Sequence, residues 1–281
     1  MADECEEGEQ TSLVPSPADP GEWRVSLSSA SETLWSAPAT DPKGSLDFIR
    51  GIRLSPDGSH CLAYTERTIF CQPLLDRCNS MNSATQDVLT PLALLPQHPR
   101  GDAIYDLIWW PGMTLEASSS CCFLTSRRDH PIHLIDACSG ALRASYRMYN
   151  QVDEIESASA LAFNLYGNKI YAGCNRMIRV FDLNEPGARY TSIPTSKTRH
   201  SALGQKGLIS CLAFNPDSSG AYAAGSFASS VGIYVENESG TCSVIVYSPS
   251  CLSYLRYIEA ALELSNLDFG VTALKWSPCG R

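Results

Sequence analysis

Arg127-Arg128-Asp129-His130, Asn175-Arg176 and Ser226-Phe227-Ala228 are short polar stretches, each set between apolar runs that alternate at period 2. If those runs are strands, the three stretches occupy equivalent loops, and Arg127, Arg128, His130, Arg176 and Phe227 share one surface. Guanidinium groups suit phosphates and base edges, and an aromatic plane suits an unstacked base. The set therefore has the chemistry that single-stranded RNA requires. A second basic and aromatic set, Arg143, Tyr146, Arg147, Tyr149 and Asn150, follows Gly140. In an extended segment Arg143, Ser145 and Arg147 would point to one side and Tyr146 to the other. Lys197, Arg199, His200 and Lys206 would add general phosphate attraction. Each set also admits a plainer reading. The loop arginines can be solvated or paired with Asp129 and neighbouring elements, Arg147 can lie along an outer strand with its head in water, and the lysines can belong to an ordinary polar loop. The predicted RNA-binding positions are Arg127, Arg128, His130, Arg143, Arg147, Tyr149, Arg176 and Phe227.

Other chemistries find less support. His130 and His133 are three apart in an extended segment, so they face opposite ways and make a poor metal pair. Ser126, Asp129 and His130 are triad residue types, but adjacent loop positions rarely give triad geometry. Neither a phosphate-cradling G-x-x-x-x-G-K-[ST] string nor a dinucleotide fingerprint occurs. The twelve cysteines include no C-x-x-C pair, and Cys61, Cys174 and Cys211 sit in apolar runs as small hydrophobes. Reduced thiols in an intracellular compartment are expected rather than disulfides or zinc sites. No cofactor, no metal and no enzymatic activity is expected. The net charge of −9 is concentrated in residues 1–22, which carry −7, so the remainder is close to neutral and does not oppose an anionic partner. The N-terminus lacks a basic region followed by an apolar one, and no apolar run approaches the roughly 20 residues needed to cross a bilayer, so neither a secretory signal nor a membrane is expected.

The loops must be positioned by the strands around them, and those strands repeat. Residues 48–74, 103–140, 159–187 and 209–240 share one order: an apolar strand, a turn, a second strand, a third strand of small residues, a polar loop and a fourth strand. A fifth unit begins at "VTALKWSPCGR" (271–281) and ends at its first turn. Anchor residues before each first turn are Leu54, Trp109, Phe163, Phe214 and Trp276, separated by 55, 54, 51 and 62 residues. Blade repeats of roughly 40–45 residues lengthened by loop insertions account for these intervals. "SPDG", "NPDSSG" and "SPCG" supply residues that tight hairpins need. The usual Trp-Asp ending is degenerate, with Ile135-Asp136, Phe181-Asp182 and Tyr234-Val235 in its place. The fold class is all-β: an incomplete WD40-type β-propeller of about four blades plus the first strand of a fifth. Around the blades at 48–240, residues 1–22 read as an acidic disordered tail and 23–47 as a low-complexity segment with room for an extra strand between Trp23 and Trp35. Residues 241–270 read as a non-propeller insertion with an amphipathic helical stripe over roughly 252–265.

Within these blades the strings become specific. "GDAIYDLIWWP" (101–111), "HPIHLIDACSGALRASYRMYN" (130–150), "NRMIRVFD" (175–182) and "GSFASSVGIY" (225–234) resemble the telomerase Cajal body protein family, and the resemblance covers roughly Phe48 to Tyr234. It lapses over 241–270, resumes at "GVTALKWSPCGR" and stops there, which marks a C-terminally truncated member. The resemblance implies a scaffold that recognises a short box in the terminal loop of box H/ACA small Cajal body RNAs, and telomerase RNA in animals, and carries these particles to Cajal bodies of the nucleus, with a cytoplasmic pool. It further implies box H/ACA ribonucleoprotein proteins as partners and a chaperonin during folding. The rival expectation is a protein-interaction adaptor whose acidic tail recruits partners and whose surface never meets RNA.

Overall fold

The computed structural model describes residues 48–73, 103–196, 204–236, 242–247 and 270–278, all within the unit Trp35–Arg281. The acidic tail, the segment 23–47, the stripe at 252–265 and Lys197, Arg199 and His200 lie outside the described residues. Regular structure among the described residues is β throughout, apart from one 3-10 turn at Ser118–Ser120. The strands are β1 (Gly51–Leu54), β2 (His60–Tyr64), β3 (Ile69–Pro73), β4 (Ile104–Trp109), β5 (Cys122–Arg127), β6 (Ile132–Asp136), β7 (Leu142–Tyr146), β8 (Ala160–Phe163), β9 (Lys169–Cys174), β10 (Met177–Asp182), β11 (Thr191–Pro194), β12 (Ile209–Phe214), β13 (Ala221–Ser226), β14 (Ser230–Glu236) and β15 (Cys242–Tyr247). They form four antiparallel meanders, β1–β3, β4–β7, β8–β11 and β12–β15, each strand pairing with its sequence neighbour.

Side-chain alternation couples these sheets. Phe123 of β5 enters a core shared with Leu62, Tyr64 and Ile69 of the first sheet, while the next residue, Leu124, enters a core with Leu161, Phe163 and Ile170 of the third. In β9, Ile170 faces back into that second core and Tyr171 faces forward to Ile209, Tyr222 and Tyr234. The second strands are therefore buried on both faces, which explains why their sequences are almost continuously apolar or small. Phe181 and Tyr234, standing in for the tryptophan of the repeat, are fully buried between sheets. Tyr234 stacks on Tyr222 with centroids 5.3 Å apart.

Leu54, Trp109, Phe163 and Phe214 close the first strands of the four sheets and face Cys61, Phe123, Ile170 and Tyr222 of the second strands. Five residues before the last four anchors stand Ile104, Ala158, Ile209 and Val271, and all four are buried. Each sits where its segment meets the preceding sheet: Ile104 N–H donates to the Glu66 carbonyl, Ser126 Oγ donates to the Ala158 carbonyl, Ile209 lies against Gly173 and Val271 lies against Gly225. A Cβ on Gly173 would stand 2.9 Å from the Ile209 carbonyl oxygen, and one on Gly225 would stand 2.6 Å from Val271 Cγ1. These glycines are needed for close approach of sheet to sheet. The residue after the buried position bulges out of register at Tyr105 and at Ser210. Ser210 Oγ thereby reaches the Val271 carbonyl as Ser159 Oγ reaches the Ile209 carbonyl.

Two findings refine the sequence expectations. Cys242–Tyr247, expected within the non-propeller insertion, pairs with all of Val231–Glu236 as the fourth strand of its sheet. The run "CSVIVY" carries the β-branched residues an outer strand needs. Val271–Ser277 docks on the fourth sheet as β12 docks on the third. The Trp276 indole donates to the Ala213 carbonyl at 2.9 Å, and the Trp109 indole makes the same bond to the Arg53 carbonyl at 3.0 Å. Seven cysteines among the described residues are free thiols, and burial pushes Cys71 and Cys174 up to about 12.

Candidate nucleic-acid interface

Three hairpin tips join the second and third strands of successive sheets: 128–131, 175–176 and 227–229. Each turns through one non-glycine residue in the left-handed region, Asp129 (φ 55°), Arg176 (φ 56°) and Ser229 (φ 55°). The tips bond to the segments that enter the sheets. Arg128 N–H donates to the Ala103 carbonyl, Asp129 N–H to Ser157 Oγ at 2.6 Å, Arg176 N–H to the Gly207 carbonyl at 2.8 Å and Phe227 N–H to the Leu208 carbonyl at 3.0 Å. Gly270 packs directly on the Phe227 backbone. The tips and entry segments thus alternate along one edge of the sheet stack.

Arg127 ends β5 on this edge, Arg128 pairs loosely with Asp129 at 3.6 Å, and His130 Nδ1 lies 2.7 Å from the Arg128 carbonyl. Phe227 is 54% exposed. Arg147 is exposed just beyond β7, next to the Tyr146 that pairs with Ile132, so it reaches the same edge; its N–H donates to the Gly187 carbonyl. Tyr149, half-buried, bridges Ile155. His133 registers the local charge. Burial first, and then the positive charges of His130, Arg127 and Arg147, push its pKa down to about 4, and its Nδ1 lies 3.0 Å from Ser145 Oγ. Among the described residues no group of three or more His, Cys, Asp or Glu has the arrangement to hold a metal ion.

Arg143 stands elsewhere. It is the bulged residue of β7, opposite neither Leu134 nor Ile135, and the bulge aims it at the far end of the sheet. Its Nε and Nη2 donate to Asp136 Oδ2 at 3.0 and 2.5 Å, Nη2 also to the Ser118 carbonyl, and Nη1 to the Ser119 carbonyl. Burial opposes ionisation of Asp136, yet Arg143 and the Ser139 N–H hold its pKa down to about 2. The five-residue span of β5 from Cys122, which faces Asp136, to Arg127 separates the two ends by roughly 17 Å.

A cleft of about 580 Å³ opens beside the Arg176 tip, lined by Asn150, Val152, Glu156, Arg176, Met177 and Arg179 among others. Arg179 was not legible as a site residue, because it lies inside the β10 run that reads as an ordinary strand. Its Nη2 lies 2.5 Å from Glu156 Oε2 and its guanidinium sits 4.9 Å from the Tyr190 ring centre. The one available signal was a cation in a strand whose flanking Ile178 and Phe181 are apolar.

Four stacked meanders with a repeated junction and buried apolar residues, Ile135, Phe181 and Tyr234, at the Trp-Asp positions define an incomplete β-propeller of the WD-repeat class. Sequence comparison then narrows the class. The chain is 33% identical over 235 residues to telomerase Cajal body protein 1 of Bos taurus, and 32% identical over 247 residues to that of Mesocricetus auratus. These matches cover 81% and 85% of this chain but only 41% and 44% of the relatives. A telomerase Cajal body protein 1 homolog of Drosophila melanogaster is 38% identical over 125 residues, covering 44% of this chain and 21% of that protein. No family model matches. The chain belongs to the telomerase Cajal body protein family, and spans less than half the length of these three relatives. The relatives' names point to the Cajal body of the nucleus, and no helix among the described residues is long and apolar enough to cross a membrane.

Proposed function

We propose that this chain is an RNA-binding scaffold without a catalytic role. It recognises box H/ACA small Cajal body RNAs, and telomerase RNA where present, and directs their localisation to Cajal bodies. The observation that carries this reading is the placing of cationic and aromatic groups on one edge of the stack. Arg127 ends β5, His130 lies in the tip that follows it, Arg147 lies just beyond β7 beside Tyr146, which pairs with Ile132, and the Arg176 and Phe227 tips continue the edge. Such an edge supplies phosphate attraction and a stacking plane to a looped single strand. Arg128 and Tyr149 belong to the same proposed surface. Arg143 joins it only by leaving Asp136, so its part is to hold the 118–120 turn. Box H/ACA ribonucleoprotein proteins are the proposed partners of the bound particle, and a chaperonin the proposed aid to folding. The names of the relatives support the telomerase and Cajal body assignment.

The test is competition binding with a terminal-loop RNA and a box-mutated control. Tighter binding of the intact box is expected, and Arg127→Ala combined with Arg176→Ala should weaken it and reduce the salt slope by about 2. Equal affinity for both RNAs, or none, would return the edge to the adaptor reading. One observation favours that alternative: Phe48, just before the first sheet, and Ile52 and Leu54 within it are 68%, 54% and 64% exposed, an apolar row suited to a protein surface.

A further inference from the structure

Buried polar groups nearly always find a partner, and exceptions ask for an explanation. Nε and Nη1 of Arg179 and Oγ of Ser196 are buried side-chain atoms with no hydrogen-bond partner, and both residues line the one cleft beside the Arg176 tip. Arg179 is only 7% exposed, and its plane is fixed by Glu156 at one nitrogen and by the Tyr190 ring. A guanidinium offers donors alone, so what completes this site is an oxygen acceptor. Arg176 and Arg179 set against Glu156 leave the lining with one net positive charge, which suits a singly charged anion. The remaining walls divide by chemistry. Val152, Met177 and Pro194 are apolar, and Asn175 brings an amide to the mouth. At about 580 Å³ the cleft lies in the size range that encloses a compact ligand.

We infer that this cleft is the subsite for one extruded nucleotide of a single-stranded RNA, a step that rests on the RNA-binding reading above. A phosphodiester oxygen meets the donors of Arg176, Arg179 and Ser196, the base lies against Val152, Met177 and Pro194, and the Asn175 amide reads its edge. An acidic peptide would satisfy the arginines but leave the apolar wall bare, so a nucleotide is the better match to both halves of the lining. The cleft also joins the two basic sets of the sequence, since Asn150 and Gln151 follow Arg147 while Arg176 belongs to the hairpin tips.

Val152 makes the test possible, because it is 70% exposed at the mouth and can be changed without disturbing a core. Fluorescence anisotropy of a labelled box H/ACA terminal-loop RNA, with the full chain at moderate salt, would be measured for Val152→Glu, Val152→Lys and Ser196→Ala. The carboxylate at the mouth is expected to weaken binding about tenfold and the ammonium to strengthen it severalfold, while loss of the hydroxyl weakens it about threefold. Thermal unfolding of each variant checks that the fold is retained, and Arg179→Lys, which keeps the charge but not the fork, should fall between Ser196→Ala and Val152→Glu. RNA bound equally well by all variants overturns the cleft and leaves the RNA-binding edge standing. No RNA bound by the unaltered chain overturns both. Poly-glutamate displacing the RNA as effectively as poly-uridylate of matched charge would assign the cleft to acidic peptides and overturn the nucleotide.

Discussion

Arg176 serves a ligand site and a tight turn at once. Its side chain reaches the cleft while its backbone occupies a left-handed conformation that costs a non-glycine residue about 1–2 kcal/mol. Strain of this kind gathers where a side chain is needed at a turn that glycine would make more easily. Arg176→Gly is therefore expected to raise the unfolding temperature by a few degrees while weakening RNA binding, both measurable on one preparation. A variant that is no more stable would remove the strain from this account. Arg143 illustrates the opposite case. From residue type and alternation it belongs with Arg147, but it stands at the Asp136 end of β7, where that carboxylate holds it, while Arg147 lies beyond the other end. Arg179 shows the converse error of reading, since a cation inside a strand carries no mark of the Glu156 that holds it.

At the scale of elements, the junction between neighbouring sheets matters most. The hairpin tips align because each second strand comes close enough to the next first strand for Gly173 to lie against Ile209 and Gly225 against Val271. Gly173→Val would drive a branched side chain into the Ile209 carbonyl. A loss of about 1–3 kcal/mol in denaturant unfolding is expected, with RNA affinity falling as the Arg176 and Phe227 tips move apart. Tyr166→Ser, at a residue 79% exposed, is the matched control and should leave both unchanged. The strands themselves were legible. Leu54, Trp109, Phe163 and Phe214, anchors by their place before each first turn, end the first strand of every sheet. The strand β15 was not, because Cys242–Tyr247 opens a long stretch that departs from the repeat in sequence.

For the whole molecule, each sheet is stable only against a neighbour, and Val271–Ser277 supplies that neighbour for the fourth. Removing residues 271–281 should expose Gly225, Ser210 and Cys211, lower the cooperativity of unfolding and raise dye binding to apolar surface. Unaltered cooperative unfolding would show that the fourth sheet needs no such cover. What the sequence determined unaided was the repeat: period-2 alternation, turn residues and anchor spacing are written in neighbouring positions, and so is the composition of the hairpin tips. What only the tertiary structure decided was which polar groups meet. The Arg143–Asp136 pair, the Glu156–Arg179 pair and the cleft between the 150–156 connection and the third sheet arise from contacts between segments apart in sequence. Their geometry is fixed by how closely the sheets pack, and no local pattern encodes that distance.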